Sequence, residues 1–459
     1  MQYLALLVFA LLCVLGTFRP AWTLVLLYVM FSLEVSLQSG TAIFRSMPAL
    51  ANIIVGGVTL LATFITVPRM YRPSRGYMTT SFVCLVAILA WSIVSLVWSP
   101  AEPLAPNMGS NIIREGYPYF IVYVLLAPLL VDRIEDWRRS CTVMLIAGTL
   151  VVVSILASPD FSIKGGRIGT VIGGTDRTSP LAIAQMGGML AIFGALSAGG
   201  RVRGLQTAIR VTAFISGALL ALFSGTRGQA VFAIGIVAVF LPMSRQLRSI
   251  GSYISTVLVA AILGGVALIA FNIVMGQTDT DRWQSGAVAD ATNVRIYNAI
   301  ELLSAFSVAP MAWLIGLGFN AFSAVTSETI QGYSHNFYVD VLCEEGVPCF
   351  VLLIVAFVKT IKASRALFRR YAQVPEERSA VAILVAMFVY QALLAAKEGN
   401  LWSSWNLFMF MILINRIETR EEDEEFGVAE SSDEDQAHQD GSGSPAPSAQ
   451  PQLSAGGAR

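Results

Sequence analysis

A single histidine, His335, stands immediately before a long apolar segment, with Asn336 directly after it. The chain's other histidine, His438, lies in a polar tail. Imidazole is the side chain best suited to taking up and releasing protons near neutral pH. The position therefore indicates one of two roles for His335, a general base at a membrane surface or a residue that only caps the helix that follows.

Several arginines lie in loops that we predict to share one side of the membrane with His335. Arg227 is the most constrained, because it occupies a very short hairpin between two apolar segments. A guanidinium held there must either reach solvent or meet an anion, and its planar donors match phosphate oxygens two at a time. Interface anchors and phosphate ligands both remain possible for this set: Arg167, Arg177, Arg227, Arg282 and Arg295.

The remaining polar groups indicate neither a metal nor a cofactor. Asp279-Thr280-Asp281 has the Asp-x-Asp pattern of soluble glycosyltransferases, but its loop is predicted to face away from the cytoplasm, where nucleotide sugars are made. Lys397-Glu398 is either a polar turn or an interfacial functional pair. The cysteines fall in or beside apolar segments, with spacing for neither zinc nor a disulfide framework: Cys13, Cys84, Cys141, Cys343 and Cys349.

Apolar segments that must position these residues recur along the whole chain. Of its 459 residues, 55% are hydrophobic and 13% charged, and the mean hydropathy is +0.66. A bilayer-spanning helix needs roughly 20 mostly apolar residues. We therefore predict an all-α polytopic membrane protein with 12 or 13 transmembrane helices. The candidate spans are 2–17, 21–38, 49–67, 79–98, 117–131, 141–157, 180–198, 207–223, 228–242, 252–275, 336–358, 378–396 and 401–415.

Basic residues concentrate in alternate loops, which predicts that those loops are cytoplasmic. They include the loop of Arg133, Arg138 and Arg139 and the loop that begins at Lys359. The intervening loops 158–179, 224–227 and 276–334 then face the other compartment, together with His335. Thirteen spans would place the N-terminus outside and twelve would place it inside.

The chain divides by composition into a membrane domain, 1–416, and a tail, 417–459. The longest exterior loop, 276–334, contains helix-compatible apolar spacing over 293–306 and a Gly316-x-Gly318 pattern that permits tight backbone turns. The tail is acidic and then rich in Ser, Gly, Pro and Gln. Because such a segment buries too little apolar surface to offset its chain entropy, we predict that it is disordered and cytoplasmic.

Taken in their order along the chain, the motifs within about 160–358 resemble those of the bacterial O-antigen ligases and the O-antigen or exopolysaccharide polymerases. Thr226-Arg227-Gly228 resembles the family's Ser-Arg-Gly, with Thr in place of Ser. The run from His335-Asn336 through Glu344 and Gly346 is similar to its His-Asn-x-x-Leu-x-x-Leu-x-Glu-x-Gly helix start, with Val339 in place of Leu. The segments 166–170 and 176–182 resemble the family's exterior loop before a span. Arg295 followed by Gly316-x-Gly318-x-x-x-Phe322 resembles the family's arginine and Gly-x-Gly-x-x-x-Phe pair. The family often has an aromatic residue four positions after this arginine, and here that position is Ala299.

The resemblance implies a metal-independent membrane glycosyltransferase of the bacterial inner (cytoplasmic) membrane. It would transfer a glycan from a polyprenyl diphosphate to an acceptor sugar hydroxyl at the extracytoplasmic face, as a ligase or a polymerase. Its partners would be the lipid-linked donor, a glycan or lipid-linked glycan acceptor and membrane lipids, with no cofactor and no nucleic acid. His335 would be the catalytic base, and the substrate-binding residues would be Arg227, Arg295, Arg177, Arg167 and Asn336.

A lipid-linked glycan flippase or another polytopic transporter is the alternative. A transporter would also need cationic residues, but it should place them along a path through the membrane. Here they gather at one face.

Overall fold

The computed structural model describes residues 2–67, 77–104, 107–156, 161–164, 167–172, 175–176, 180–197, 203–245, 285–326 and 333–441, with single positions between 250 and 265. The protein is an all-α polytopic membrane protein. Its helices begin at or near the starts of the apolar segments, as expected for chains that must satisfy every backbone group within the helix while crossing lipid.

The first part of the chain, as far as Leu156, consists of helices joined by short turns in its described residues. One helix changes pitch: α7 runs on as a π-helical turn, Phe120–Leu126, and a 3-10 turn, Ala127–Leu130. Pro118 lies just before this change, and proline removes a helical hydrogen bond. The helices are α1 Gln2–Phe18, α2 Pro20–Gly40, α3 Ala42–Ser46, α4 Leu50–Thr66, α5 Thr80–Ser95, α6 Ala101–Leu104, α7 Met108–Tyr119 and α8 Ile134–Leu156.

A small antiparallel sheet lies in the loop that we predicted between two spans. Its strands are β1 Phe161–Lys164, β2 Arg167–Ile172 and β3 Thr175–Asp176, in the order β1-β2-β3. The register pairs Phe161 with Thr170 and Val171 with Asp176. Strand β2 contacts α2 and the following helix, so this sheet covers the ends of membrane helices.

The rest of the described chain is again helical. A 3-10 turn, Leu401–Ser403, joins the last two helices. The helices are α9 Pro180–Leu196, α10 Arg203–Phe223, α11 Arg227–Ser244, α12 Ser285–Val308, α13 Ala312–Ile315, α14 Phe322–Val325, α15 Phe337–Glu344, α16 Gly346–Arg370, α17 Pro375–Glu398 and α18 Trp405–Gly441.

Seven helices among the described residues are long and apolar enough to cross a membrane: Pro20–Gly40, Thr80–Trp98, Met108–Leu130, Ile134–Leu156, Gly204–Phe223, Gly346–Arg370 and Pro375–Glu398. Four shorter apolar helices accompany them, at Tyr3–Phe18, Leu50–Thr66, Pro180–Leu196 and Gly228–Ser244. Of the predicted spans, 252–275 falls almost entirely outside the described residues. The structure thus supports the class of protein and leaves the span count a prediction.

Hydrogen bonds between helix termini define one end of the bundle. Ser140 Oγ donates to the Ala21 carbonyl at 2.6 Å, Ser379 Oγ donates to that of Leu196 at 2.7 Å, and Arg378 Nε donates to that of Met243 at 2.7 Å. Arg138 forms ion pairs with Glu376 and Glu377 at the same place. We call this the Arg138 end.

The opposite end holds the residues singled out for chemistry. Tyr338 Oη donates to the Ala392 carbonyl at 3.0 Å, and Gln229 Nε2 donates to Glu398 at 2.6 Å. The loop of Asn336, the start of α11 and the end of α17 therefore meet here. We call this the His335 end.

Helices α2 and α17 are largely buried within the bundle. Trp137 is fully buried and donates its Nε1–H to the Ala380 carbonyl of α17 at 2.9 Å. Small residues bring α9 and α10 close together, since a Cβ on Gly187 would lie 2.6 Å from the Gly217 carbonyl oxygen. Close backbone approach at small residues is a usual mode of helix packing in membranes.

Two boundaries differ from those predicted by composition. The predicted span 336–358 is broken at Glu345 into α15 and α16, because Gly346 adopts φ +86°. Helix α18 continues past position 417 through Gly441, with Ile417 buried, so that compositional boundary does not coincide with the end of a helix. Residues 442–459 lie outside the described residues.

Candidate functional site

His335 has an unusual backbone conformation. Its φ is +62°, in the left-handed region that L-residues rarely occupy. The side chain is half-buried, and its ring lies 4.3 Å, centroid to centroid, from the ring of Tyr333. Backbone strain of this kind persists only where the surroundings enforce it, and it concentrates at functional sites.

Hydrogen bonds among residues 334–340 hold the segment around His335 in this conformation. Ser334 is buried, and its Oγ donates to a carboxylate oxygen of Asp340 while accepting the backbone N–H of Asn336 at 3.1 Å. Asn336 Oδ1 accepts the backbone N–H groups of Tyr338 at 3.1 Å and Val339 at 3.3 Å. Asn336 is therefore the N-cap of α15. The capping role considered for His335 belongs to its neighbour, and the oxygen of Asn336 serves the helix.

The Gly-x-Gly segment packs against the C-terminus of α15. Leu317 N donates to the Cys343 carbonyl at 2.8 Å, and Gly318 N donates to that of Glu344 at 2.9 Å. Gly316 has φ +81°, and a Cβ there would lie 2.0 Å from the Glu344 carbonyl oxygen. These glycines permit contact between two backbones, so they fix where α15, and with it His335, is held.

Arg295 lies in α12, which packs against α15, and its side chain is half-buried. Its charge acts on Tyr333, the ring in contact with His335. The pKa of Tyr333 is raised chiefly by burial and further by Glu398 and Asp340, while Arg295 opposes the rise. Arg295, Glu398 and Asp340 thus all act electrostatically on Tyr333, the ring in contact with His335.

Arg227 is the first residue of α11, at the end of a tight hairpin in which Gly225 has φ +73°. A Cβ on Gly228 would lie 2.3 Å from Lys397 Cε, so the Lys397 side chain packs directly over this glycine. Lys397 Nζ lies 3.2 Å from Glu398 Oε2. The Arg227 hairpin is therefore joined to the pair that the sequence presented as either a polar turn or a functional group. The structure describes the backbone of Arg227 and not its side chain.

The two other predicted arginines are less defined. Arg167 opens β2 opposite Lys164, at the His335 end, and its backbone alone is described. Arg177 lies outside the described residues, as does Arg282. The structure thus places His335, Arg295 and the start of α11 at the same end of the bundle and leaves the substrate roles of Arg167 and Arg177 as predictions.

Three residues of this site were not predicted to bind substrate. Tyr333 contacts the His335 ring, Gln229 donates a hydrogen bond to Glu398, and Glu398 acts electrostatically on Tyr333. Each stands in sequence next to a motif residue or in a polar turn, but contacts between separate segments could not be read from their spacing. The described residues contain no group of three or more His, Cys, Asp or Glu side chains arranged to hold a metal.

Comparison of the chain with the models of known protein families and with the sequences of curated proteins finds no match.

Proposed function

We propose that this protein is a membrane glycosyltransferase that moves a glycan from a polyprenyl diphosphate to the hydroxyl of an acceptor sugar. The reaction takes place at the His335 end, on the extracytoplasmic face of a bacterial inner membrane. His335 is the catalytic base. Arg295, Arg227 and the exterior arginines Arg167 and Arg177 bind the donor diphosphate.

The chemistry requires few groups. His335 removes the proton from the acceptor hydroxyl as its oxygen forms a bond to the anomeric carbon of the donor sugar. The bond from that carbon to the phosphate oxygen breaks, and the electron pair leaves on the lipid diphosphate. Guanidinium groups neutralise the charge that develops there. The reaction is metal-independent, because the diphosphate is already a good leaving group and arginines replace the cation.

The observation that carries this proposal is the left-handed backbone of His335. Asn336 caps the helix, so the imidazole is not needed for capping. The half-buried imidazole lies beside Tyr333, and Arg295 acts electrostatically on that tyrosine. Glycosyl transfer from a diphosphate requires a base and a cation at the same end of the protein, and this arrangement supports the proposal.

Ligase and polymerase share this donor chemistry and differ in acceptor, a lipid-anchored core sugar or a second lipid-linked repeat. The test supplies purified protein in lipid nanodiscs with a polyprenyl-diphosphate glycan, with and without each acceptor, and follows covalent product by mass spectrometry. We expect product with wild type and none with His335→Ala at equal folded amounts. Movement of the donor across vesicles without any covalent product would favour the flippase alternative instead.

A further inference from the structure

A second feature of the His335 end is a cavity of about 320 Å³. It lies among α2, α9, α11, α17 and the start of α18. Phe31, Leu181 and Leu394 form part of its apolar side, and Gln229, Glu398 and Asn406 part of its polar side. Its volume is at the lower end of the roughly 300–1,000 Å³ of small-molecule sites, which suits one or two sugar rings.

The polar side of this cavity offers hydrogen-bond acceptors. Gln229 is 2% exposed, and its Nε2 is committed to Glu398 at 2.6 Å. Gln185 Nε2 is likewise committed to Gln391 Oε1 at 2.8 Å. Gln229 Oε1 and Asn406 Oδ1 are buried and have no hydrogen-bond partner among the described residues. Buried acceptors in this state cost free energy until a donor reaches them.

These acceptors select the chemistry of the ligand. The amide oxygens of Gln229 and Asn406 need hydroxyl or N–H donors, whereas a phosphate would bring only further acceptors to them. Glu398 also acts electrostatically on Tyr333, the ring in contact with His335, so the cavity lies at the same end of the bundle as His335. We infer that this cavity binds an uncharged sugar ring whose hydroxyl groups donate to Gln229 and Asn406. That the sugar belongs to the acceptor rests on the proposed function.

Three substitutions separate ligand binding from folding. Asn406→Leu replaces the unsatisfied amide with an apolar side chain of similar size, so it should lose the ligand without lowering thermal stability. Ala182→Leu, also in the cavity wall, fills its space and leaves every polar group in place. Tyr390→Phe is the control, because it removes another buried, unpartnered oxygen at a position that does not line this cavity.

The binding test uses purified full-length protein in detergent and the methyl glycosides of glucose, galactose and N-acetylglucosamine, each followed by saturation-transfer difference NMR, with glycerol as the reference compound. We expect a signal above that of glycerol for at least one glycoside. The affinity for that glycoside should fall at least tenfold in Asn406→Leu and Ala182→Leu and stay unchanged in Tyr390→Phe. The melting temperature of Asn406→Leu should be no lower than that of wild type. Wild-type affinity in both cavity variants, or no glycoside signal above glycerol, would overturn the inference.

Acceptor kinetics in the transfer assay keep this inference apart from the proposed function. If the cavity holds the acceptor, Asn406→Leu should raise the acceptor KM at least tenfold and leave the donor KM unchanged. An unchanged acceptor KM with normal transfer would overturn the cavity assignment and leave the glycosyltransferase standing. Glycoside binding by a protein that forms no covalent product under any donor and acceptor condition would overturn the glycosyltransferase proposal and leave the cavity as a sugar site.

Discussion

Glu344 accepts the backbone N–H of Asn320 at 3.1 Å, and its other carboxylate oxygen accepts that of Phe322 at 3.0 Å. Asn320 itself has φ +62°, so the carboxylate stabilises a strained turn after the Gly-x-Gly segment. Glu344, the last residue of α15, is therefore bound to the loop that precedes this helix. Its position supports a structural role.

We accordingly expect Glu344→Gln to reduce stability by about 1–3 kcal/mol, because an amide offers one oxygen to two N–H donors. The measurement is thermal or denaturant unfolding in detergent. The neighbouring Glu345→Gln is the matched control, since that carboxyl accepts no backbone N–H of a described residue. Equal stability of the two variants would show that the two hydrogen bonds of Glu344 contribute little.

The glycines at the same contact give a second prediction. Gly316→Ala should lower stability by about 3 kcal/mol or more, because φ +81° and a contact of 2.0 Å both oppose a Cβ there. Gly57→Ala, in the interior of α4 with nothing within 4 Å, should instead gain about 0.5–1 kcal/mol. Folded yield after size-exclusion chromatography and melting temperature report both effects. A Gly316→Ala protein as stable as wild type contradicts this account of the junction.

Two substitutions of His335 both remove the imidazole, but only the change to glycine also relieves the backbone strain. His335→Ala and His335→Gly both lack the imidazole, and we expect neither to transfer glycan. Because glycine adopts φ +62° without steric cost, His335→Gly should be about 1 kcal/mol more stable than His335→Ala. Unfolding curves test the stability difference and product formation tests the catalytic role. Substantial transfer by a well-folded His335→Ala protein would eliminate the general base.

Arg227 and Arg295 are expected to act through the geometry of the guanidinium as well as through its charge. Lysine at either position should reduce transfer about tenfold or more, and it should lower kcat more than it raises the donor KM. Arg227 should be the more sensitive of the two, because it lies in the more constrained hairpin. Arg369→Lys, an exposed position at the Arg138 end, is the control. Wild-type rates with lysine at both positions would leave these arginines as interface anchors.

The orientation of the bundle follows from the basic loops and is tested by labelling. Ser307 and Gln373 are exposed at opposite ends of the protein and can be changed to cysteine in a background without the five native cysteines. An impermeant thiol reagent should label position 307 in intact cells and position 373 only after permeabilisation. Ser364 is 5% exposed and is unsuitable for labelling. Labelling of position 373 alone in intact cells would invert the orientation.

Much of the fold was predictable, because lipid imposes a simple length and composition rule on each helix. The helices Pro20–Gly40, Pro180–Leu196 and Pro375–Glu398 begin within a few residues of the predicted spans. The break at Glu345 was not predicted, although Glu344, Glu345 and Gly346 stand there, because the apolar residues on either side favour a single span. Gly346 adopts its positive φ in contact with the backbone of Gly316, which is distant in sequence, so this contact could not be read from the local residues.

The candidate site was predictable to a similar degree. The apolar boundary and the basic loops placed His335, Arg295 and Arg227 on one side of the membrane. Contacts among separate segments could not be read from spacing, so the meeting of Glu398 with Gln229 was missed. Asn336 is a different case. The family resemblance implied that it binds substrate, whereas in the structure its side-chain oxygen caps the N-terminus of α15.

The contact between Gly316 and Gly346 has a consequence for engineering. This contact joins the end of α15 to the loop that precedes the helix largely through main-chain atoms, and Leu317 and Gly318 add two more main-chain hydrogen bonds. The Glu344 carboxylate adds two side-chain hydrogen bonds to this contact, so exchange of the segment from α12 through α15 between related proteins must keep Glu344 as well as the glycines. Gly346, at the start of α16, is the place to join the exchanged segment.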